Sequence, residues 1–182
     1  MENQNKIILD LCAGTGAWSK PYREAGYDVR LITLPDYDVR TYIPPDNVYG
    51  ILSAPPCDHF AGSGARWWKE KGEMLLLEGL SIVDACLRMI LIAKPKFWCL
   101  ENPVGRLCKY LGRPKIYFNP CDYGDAYNKK TCLWGDFNIP KQKPVKPELG
   151  SMIHLLPPSE DRKILRSITP SGFAKAFFEA KR

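Results

Sequence analysis

Histidine is scarce in this chain, with only His59 and His154 among 182 residues. The seven cysteines are an odd number and hold no Cys-x-x-Cys pair. Cys57-x-His59 is the one close cysteine–histidine pair, whereas structural zinc sites ordinarily show two paired clusters, so the pattern argues against a metal. Thiols of this kind, behind a polar start (MENQNK) with no leader pattern, point to reduced cysteines and a cytoplasmic setting. Also missing is an uncharged apolar run. The most apolar stretch, residues 74–93, contains Glu78, Asp84 and Arg88, which favours a buried helix over a membrane span. Internal repeats and low-complexity tracts are absent as well.

What is present suits one globular domain spanning residues 1–182, since 45% of the residues are apolar. The formal net charge of +6 suits a polyanionic partner such as nucleic acid, although many basic proteins bind none. Short apolar runs bounded by turn residues predict strands at 6–12, 28–34, 49–54, 97–102 and 131–135. Helical patterns fill 17–27, 73–94 and 171–180, the first with Pro21 near its start and Gly26 past its end. This alternation predicts an α/β fold, a doubly wound and mostly parallel sheet. Residues 138–165 are rich in proline and charge, and read as an extended segment or loops.

Three short motifs carry chemistry. LDLCAGTGAW (9–18) lies where the first strand meets the first helix, and Gly14 and Gly16 permit a sharp turn close to a ligand. Position 19 is serine, so the dinucleotide pattern Gly-x-Gly-x-x-Gly fails. Asp10 ahead of the turn suits a ligand with an amino-acid portion, S-adenosylmethionine among them; a plain strand-to-helix turn reads the same way. SAPPCDHFAGSG (53–64) sets Pro55 and Pro56 before Cys57, then a glycine-rich stretch. This arrangement fits a nucleophile on a rigid base with a mobile flap, and also a cysteine that merely ends a strand. LENP (100–103) puts Glu101 at a strand end, at an apolar rim where a carboxyl's pKa rises.

The order DLCAGTG, PPC, LENP resembles the cytosine carbon-5 DNA methyltransferase family, in a small, phage-like form without a target-recognition domain. YDVR (37–40), AYNKKTCLWG (126–135) and RSITPSGFAKAFFEA (166–180) extend the resemblance over nearly the whole chain. It implies a methyltransferase (Rossmann-like) fold and S-adenosylmethionine as cofactor. Asp10, Cys12, Ala13, Gly14, Thr15, Gly16 and Trp18 would hold that cofactor. Asp38 would reach its adenine, Pro55 would wall its sulfonium, and Thr169 would return to the same pocket. The resemblance makes Cys57 the nucleophile on cytosine carbon 6, Glu101 the acid at ring nitrogen 3, Asn102 a brace for the proline–cysteine turn, and Lys130 a further catalytic group. Nearby lysines and arginines would raise the thiolate fraction of Cys57. Arg66 and Lys129 would contact nucleic acid, with Trp67 and Trp68 in a closing loop (58–72) stacking on bases or packing inward. The implied partner is cytosine-containing DNA, as in a restriction-modification system, with no membrane and no metal.

Departures from the family pattern accompany these matches. Asp58 follows the cysteine where glutamine is usual, and Pro103 stands where valine is usual. No acid ends the second strand, leaving Asp36 as its substitute. Lysines replace the arginines of the basic motif. Only the proline-rich 138–165 occupies the place of a recognition domain, which leaves room for a separate recognition subunit. RNA or a free nucleotide as substrate, a non-catalytic binding module of the same fold, and a hydrolase pairing Cys57 with His59 or His154 are the alternatives.

Overall fold

A computed structural model describes residues 3–180, apart from the side chains of Ile153 and His154. Six strands form one sheet: β1 (Ile7–Leu11), β2 (Asp28–Ile32), β3 (Val48–Ser53), β4 (Phe97–Pro103), β5 (Ile116–Phe118) and β6 (Thr131–Asp136), in the order β2-β1-β3-β4-β6-β5. Strands β2, β1, β3 and β4 are mutually parallel, while β6 runs antiparallel to both β4 and β5. The doubly wound expectation therefore holds, with an antiparallel edge. β5 escaped the sequence reading because three residues cannot display a period.

Helix α1 (Lys20–Glu24) is shorter than the predicted 17–27. Gly16 at φ +69° and the Ser19–Asp10 contact commit residues 16–19 to a turn, so the helix begins late. Helix α2 (Trp68–Ala93) breaks at Gly72 (φ 71°, ψ −176°), and its regular part begins at the predicted position 73. Only one face of α2 packs on the sheet, through Val83, Cys86, Met89 and Ile90. Met74, Leu77 and Leu91 face solvent, contrary to the expectation of burial all round. Short α3 (Cys108–Leu111) precedes β5. Two further short helices, α4 (Met152–Leu155) and α5 (Arg162–Ser167), lie in or end just past the segment read as loops, and α6 (Ser171–Glu179) closes the fold. The extended stretch before α4 is tied down by Lys143 N–H to the Asp122 carbonyl (2.9 Å) and Val145 N–H to the Cys121 carbonyl (2.8 Å).

Side chains alternate across the strands and feed two cores. Leu9, Ile51, Leu100 and Trp134 join α2 on one face. Ile8, Leu52, Phe97 and Leu133 join Trp18, Tyr22, Phe173 and Phe177 of the α1 and α6 side on the other. Between β1 and β3 the strand order reverses direction, and there the carboxyl ends of parallel strands open a crevice suited to ligands. The glycine turn follows β1 and the proline–cysteine turn follows β3, so the topology alone makes these motifs neighbours. Among the described residues no helix is long and apolar enough to cross a membrane, and no group of three potential metal-ligating residues occurs.

Candidate active site

The glycine turn is built around a buried acid. Asp10 is 1% exposed and accepts a 2.5 Å hydrogen bond from Ser19 Oγ. Burial pushes its pKa up to about 6, against the opposing pull of Ser19 and Arg23. Cys12, Gly14 and Gly16 all take positive φ (58°, 53° and 69°), a conformation costly for Cys12 and easy for the glycines. Among the described residues, the N–H groups of Ala13, Gly14 and Thr15 have no protein partner. Such a concave run of amides at a strand end accepts a carboxylate. Trp18 is 2% exposed, with its ring against Phe173 and Phe177 at 5.7 and 5.4 Å, so the structure places it in the core below the turn.

Beyond β2 the chain turns through Asp36 and Asp38. The Asp38 carboxylate pairs with the Arg40 guanidinium at 2.6 Å, which holds its pKa down at about 2. Asp36 is exposed.

After β3, Pro55 is buried and its carbonyl accepts the Asn102 side-chain amide at 2.9 Å. Asn102 is wholly buried on β4, one residue past Glu101. The Cys57 carbonyl then accepts N–H groups from both Phe60 and Ala61 at 2.9 Å, closing a tight turn. Burial pushes the Cys57 thiol up, and the carboxyls of Glu101 and Asp58 push the same way; Lys129 and Arg166 pull it down by less. This corrects the expectation that cations dominate at the thiol. Burial raises Glu101 as well, with Lys129 opposing. Cysteine and glutamate thus share one electrostatic environment across the β3–β4 boundary.

A small pocket beside Glu101 is lined by Phe118, Lys129, Thr131, Thr169 and Phe173, and is closed by Ser167 and Pro170. The two lysines of the basic motif, just before β6, point to opposite sides. Lys129 faces this pocket and donates to the Arg166 carbonyl at 3.0 Å. Lys130 projects from the opposite face, its ammonium 5.7 Å from the centre of the Tyr117 ring. Lys129, expected on nucleic acid, thus lies beside Glu101, and Lys130, expected at the reaction centre, lies against Tyr117. Thr131, Phe118 and Arg166 were missed. Phe118 sits on the strand too short to see, while Arg166 reaches the site only because α5 folds back over it, where Lys163 pairs with Asp58 at 2.9 Å.

The flap also differs from expectation. Gly62 and Gly64 are not in the left-handed region; Gly72 is. Gly62 is small for close approach, since a Cβ there would lie 3.1 Å from the Val104 carbonyl oxygen that its own N–H binds at 2.8 Å. Ala61 bridges Gly105, and Phe60 is wholly buried, so the first part of the loop is anchored. Trp68 packs under the Arg106 guanidinium (4.7 Å), while Trp67 stays half-exposed beside Arg66 (5.1 Å). His59 donates no bond to Cys57, and its Nδ1 is buried without a partner among the described residues. The side chain of His154 lies outside the described residues.

The chain is similar to a probable DNA (cytosine-5)-methyltransferase of Frog virus 3 (isolate Goorha), 28% identical over 156 residues that span 74% of this chain and 73% of the viral one. The sequence likeness is thus to a DNA (cytosine-5)-methyltransferase. A second relative, the type II methyltransferase M.DdeI of Desulfomicrobium norvegicum, is 25% identical over 196 residues, covering 84% of this chain but 44% of its own length. The chain thus spans less than half of that longer relative. A solved structure of a DNA modification methyltransferase encoded within an E. coli prophage covers 79% of this chain and 54% of its own, at 19% identity and a TM-score of 0.48. No family model matches the chain. The six-stranded sheet with packed side chains on both faces is an α/β arrangement.

Proposed function

We propose that the chain transfers a methyl group from S-adenosylmethionine to carbon 5 of cytosine in DNA through a covalent adduct on Cys57. The observation that carries this reading is the shared environment of Cys57 and Glu101, on turns braced together by Asn102.

The glycine turn fits the methyl donor. Three partnerless amides at Ala13, Gly14 and Thr15 match its carboxylate, and Asp38 offers acceptors for an exocyclic amine once shared with Arg40. Ser167 Oγ lies 3.8 Å from where a Gly14 Cβ would stand, so the terminal segment, with Thr169, closes over the same turn. Trp18 acts from below by supporting the turn. When bound, the cofactor supplies an electrophilic methyl group.

Carbon 5 of cytosine is a weak nucleophile. Addition of the Cys57 thiolate to carbon 6, with a proton from Glu101 to nitrogen 3, converts the ring to an enamine whose carbon 5 accepts the methyl group. Loss of the carbon-5 proton to a base then lets the sulfur–carbon 6 bond break, and the nitrogen 3 proton returns to Glu101. A raised Glu101 pKa serves both partners of the first step. Protonated, it is a donor for the ring, and it no longer opposes thiolate formation on Cys57. Lys129 moderates both groups, which makes it the cation to place at the reaction centre. The target base must leave its stack to reach this pocket.

Incubation with S-adenosylmethionine labelled in the methyl group and cytosine-containing DNA tests the reading: label should enter 5-methylcytosine. Label recovered only in RNA or in free nucleotides overturns the DNA assignment.

A further inference from the structure

We propose that the outer face of α3, β5 and β6 holds the unpaired DNA strand on which the target cytosine lies; this rests on the reading of the chain as an enzyme that acts on DNA. Two observations place the relevant side chains on one face. Tyr117 and Cys132 are register partners on β5 and β6, and Cys108 of α3 acts electrostatically on Cys132. The Trp134 indole on the same face donates to the Gly112 carbonyl at 3.0 Å, so α3 and its exit lie over this side of the sheet. Lys130, just before β6, reaches the Tyr117 ring. Lys109 and Arg113 are exposed on and just after α3, as are Tyr110 of α3 (48%) and Tyr117 of β5 (45%).

The segment through α3 and β5 carries charge of one sign. No aspartate or glutamate occurs from residue 102 to 121, and Lys109, Arg113 and Lys130 make no ion pair among the described residues. Exposed tyrosines set between unpaired cations are what a single strand requires, with phosphates meeting the cations and bases meeting the rings. A folded protein partner would instead call for an apolar centre with its charges at the rim.

The face is also continuous with the mouth of the site. Val104 and Gly105, just before α3, are stitched to Ala61 and Gly62 of the flap, and Glu101 lies three residues earlier on the same strand. A strand leaving the pocket past the flap therefore runs onto α3. The lysines at 141, 143 and 146 are less suited, because the 143–145 backbone is fastened to Cys121 and Asp122 beside Tyr123, which packs in the opposite core.

The test is fluorescence anisotropy of the full chain with a fluorescein-labelled single-stranded oligonucleotide carrying one cytosine, and with its duplex, across a salt series. The wild type should bind the single strand at least as well as the duplex. Lys109→Glu with Arg113→Glu should weaken binding at least tenfold and flatten the log–log salt slope by about 1.4, two contacts at ~0.7 each. Tyr110→Ala with Tyr117→Ala should weaken it by about tenfold and leave the slope unchanged. Should the charge reversals lower the melting temperature, Lys109→Gln with Arg113→Gln must still flatten the slope. Wild-type affinity in all these variants, or preference of the wild type for duplex, overturns the inference while leaving the DNA reading intact. A wild type that binds no DNA overturns both.

Discussion

The side-chain amide of Asn102 donates to the Pro55 carbonyl across 2.9 Å, linking the end of β4 to the turn that presents Cys57. Both partners are buried, so removing one leaves the other without water or protein to pair with. Asn102→Ala should cost about 1–3 kcal/mol of stability by denaturant unfolding. It should also lower kcat more than the affinity for cofactor, since the glycine turn is untouched. Equal stability with unchanged kcat would mean that the prolines alone hold the cysteine.

Glu101 and Cys57 are tuned by the same cation. Lys129 stabilises the charged forms of both, so Lys129→Met should move both pKa values upward. The wild-type thiol already titrates above its ordinary value, and alkylation of Cys57 by iodoacetamide, followed by mass spectrometry against pH, should show its midpoint rising further in the variant. A midpoint that falls, or a larger shift in Lys130→Met than in Lys129→Met, would restore the original assignment of the two lysines. Glu101→Gln should reduce methyl transfer by about 10²–10⁴-fold, since an amide donates a hydrogen bond but cannot give up a proton.

Asp10 links the cofactor turn to pH. Its pKa is about 6 in the folded chain against 3.8 as a free side chain. Between those values the folded state holds more proton than the unfolded, so stability falls as pH rises through this window. The burial penalty is complete above about pH 6 and amounts to about 3 kcal/mol. Asp10→Asn should therefore melt higher than wild type at pH 7.5, with the advantage gone at pH 4, while binding S-adenosylhomocysteine more weakly by calorimetry. A stability difference independent of pH would contradict the buried-charge account.

The flap is anchored by glycine at a point of backbone contact. A Cβ on Gly105 would meet the Phe60 carbonyl oxygen at 1.9 Å, so Gly105→Ala must open the Ala61–Gly105 bridge. We expect proteolysis within residues 58–72 to accelerate and kcat to drop. Undiminished protease resistance would mean that the Ala61–Gly105 bridge does not hold the flap.

Much of this was legible in advance, and the reasons differ by element. The strands β1, β3 and β4 are short apolar runs ending in turn residues, so the motifs carrying Asp10, Cys57 and Glu101 could be set at strand ends from sequence. The family resemblance implied Asn102 as a brace for the proline–cysteine turn, and its amide donates to the Pro55 carbonyl. What sequence did not reveal depends on the third dimension. Lys129 and Lys130 are adjacent in sequence and indistinguishable by composition; only the pleat of the strand following them sends one to the pocket and the other to Tyr117. Arg166 is 109 positions from Cys57 in sequence and arrives through the fold of α5. The role of Gly62 was misread because small size and conformational freedom look the same in a sequence.

The covalent step on Cys57 is the centre of the account, and trapping it is the most direct test. An oligonucleotide with 5-fluorocytosine at the target position cannot lose a proton from carbon 5 after methyl transfer, so the sulfur–carbon 6 bond should persist. With S-adenosylmethionine the wild-type chain should shift in mass by one methylated oligonucleotide and survive denaturing electrophoresis, and tryptic mapping should place the adduct on Cys57. Cys57→Ser should form none while still binding S-adenosylhomocysteine. An adduct retained by Cys57→Ser, or methylation of ordinary cytosine by that variant, would contradict the mechanism.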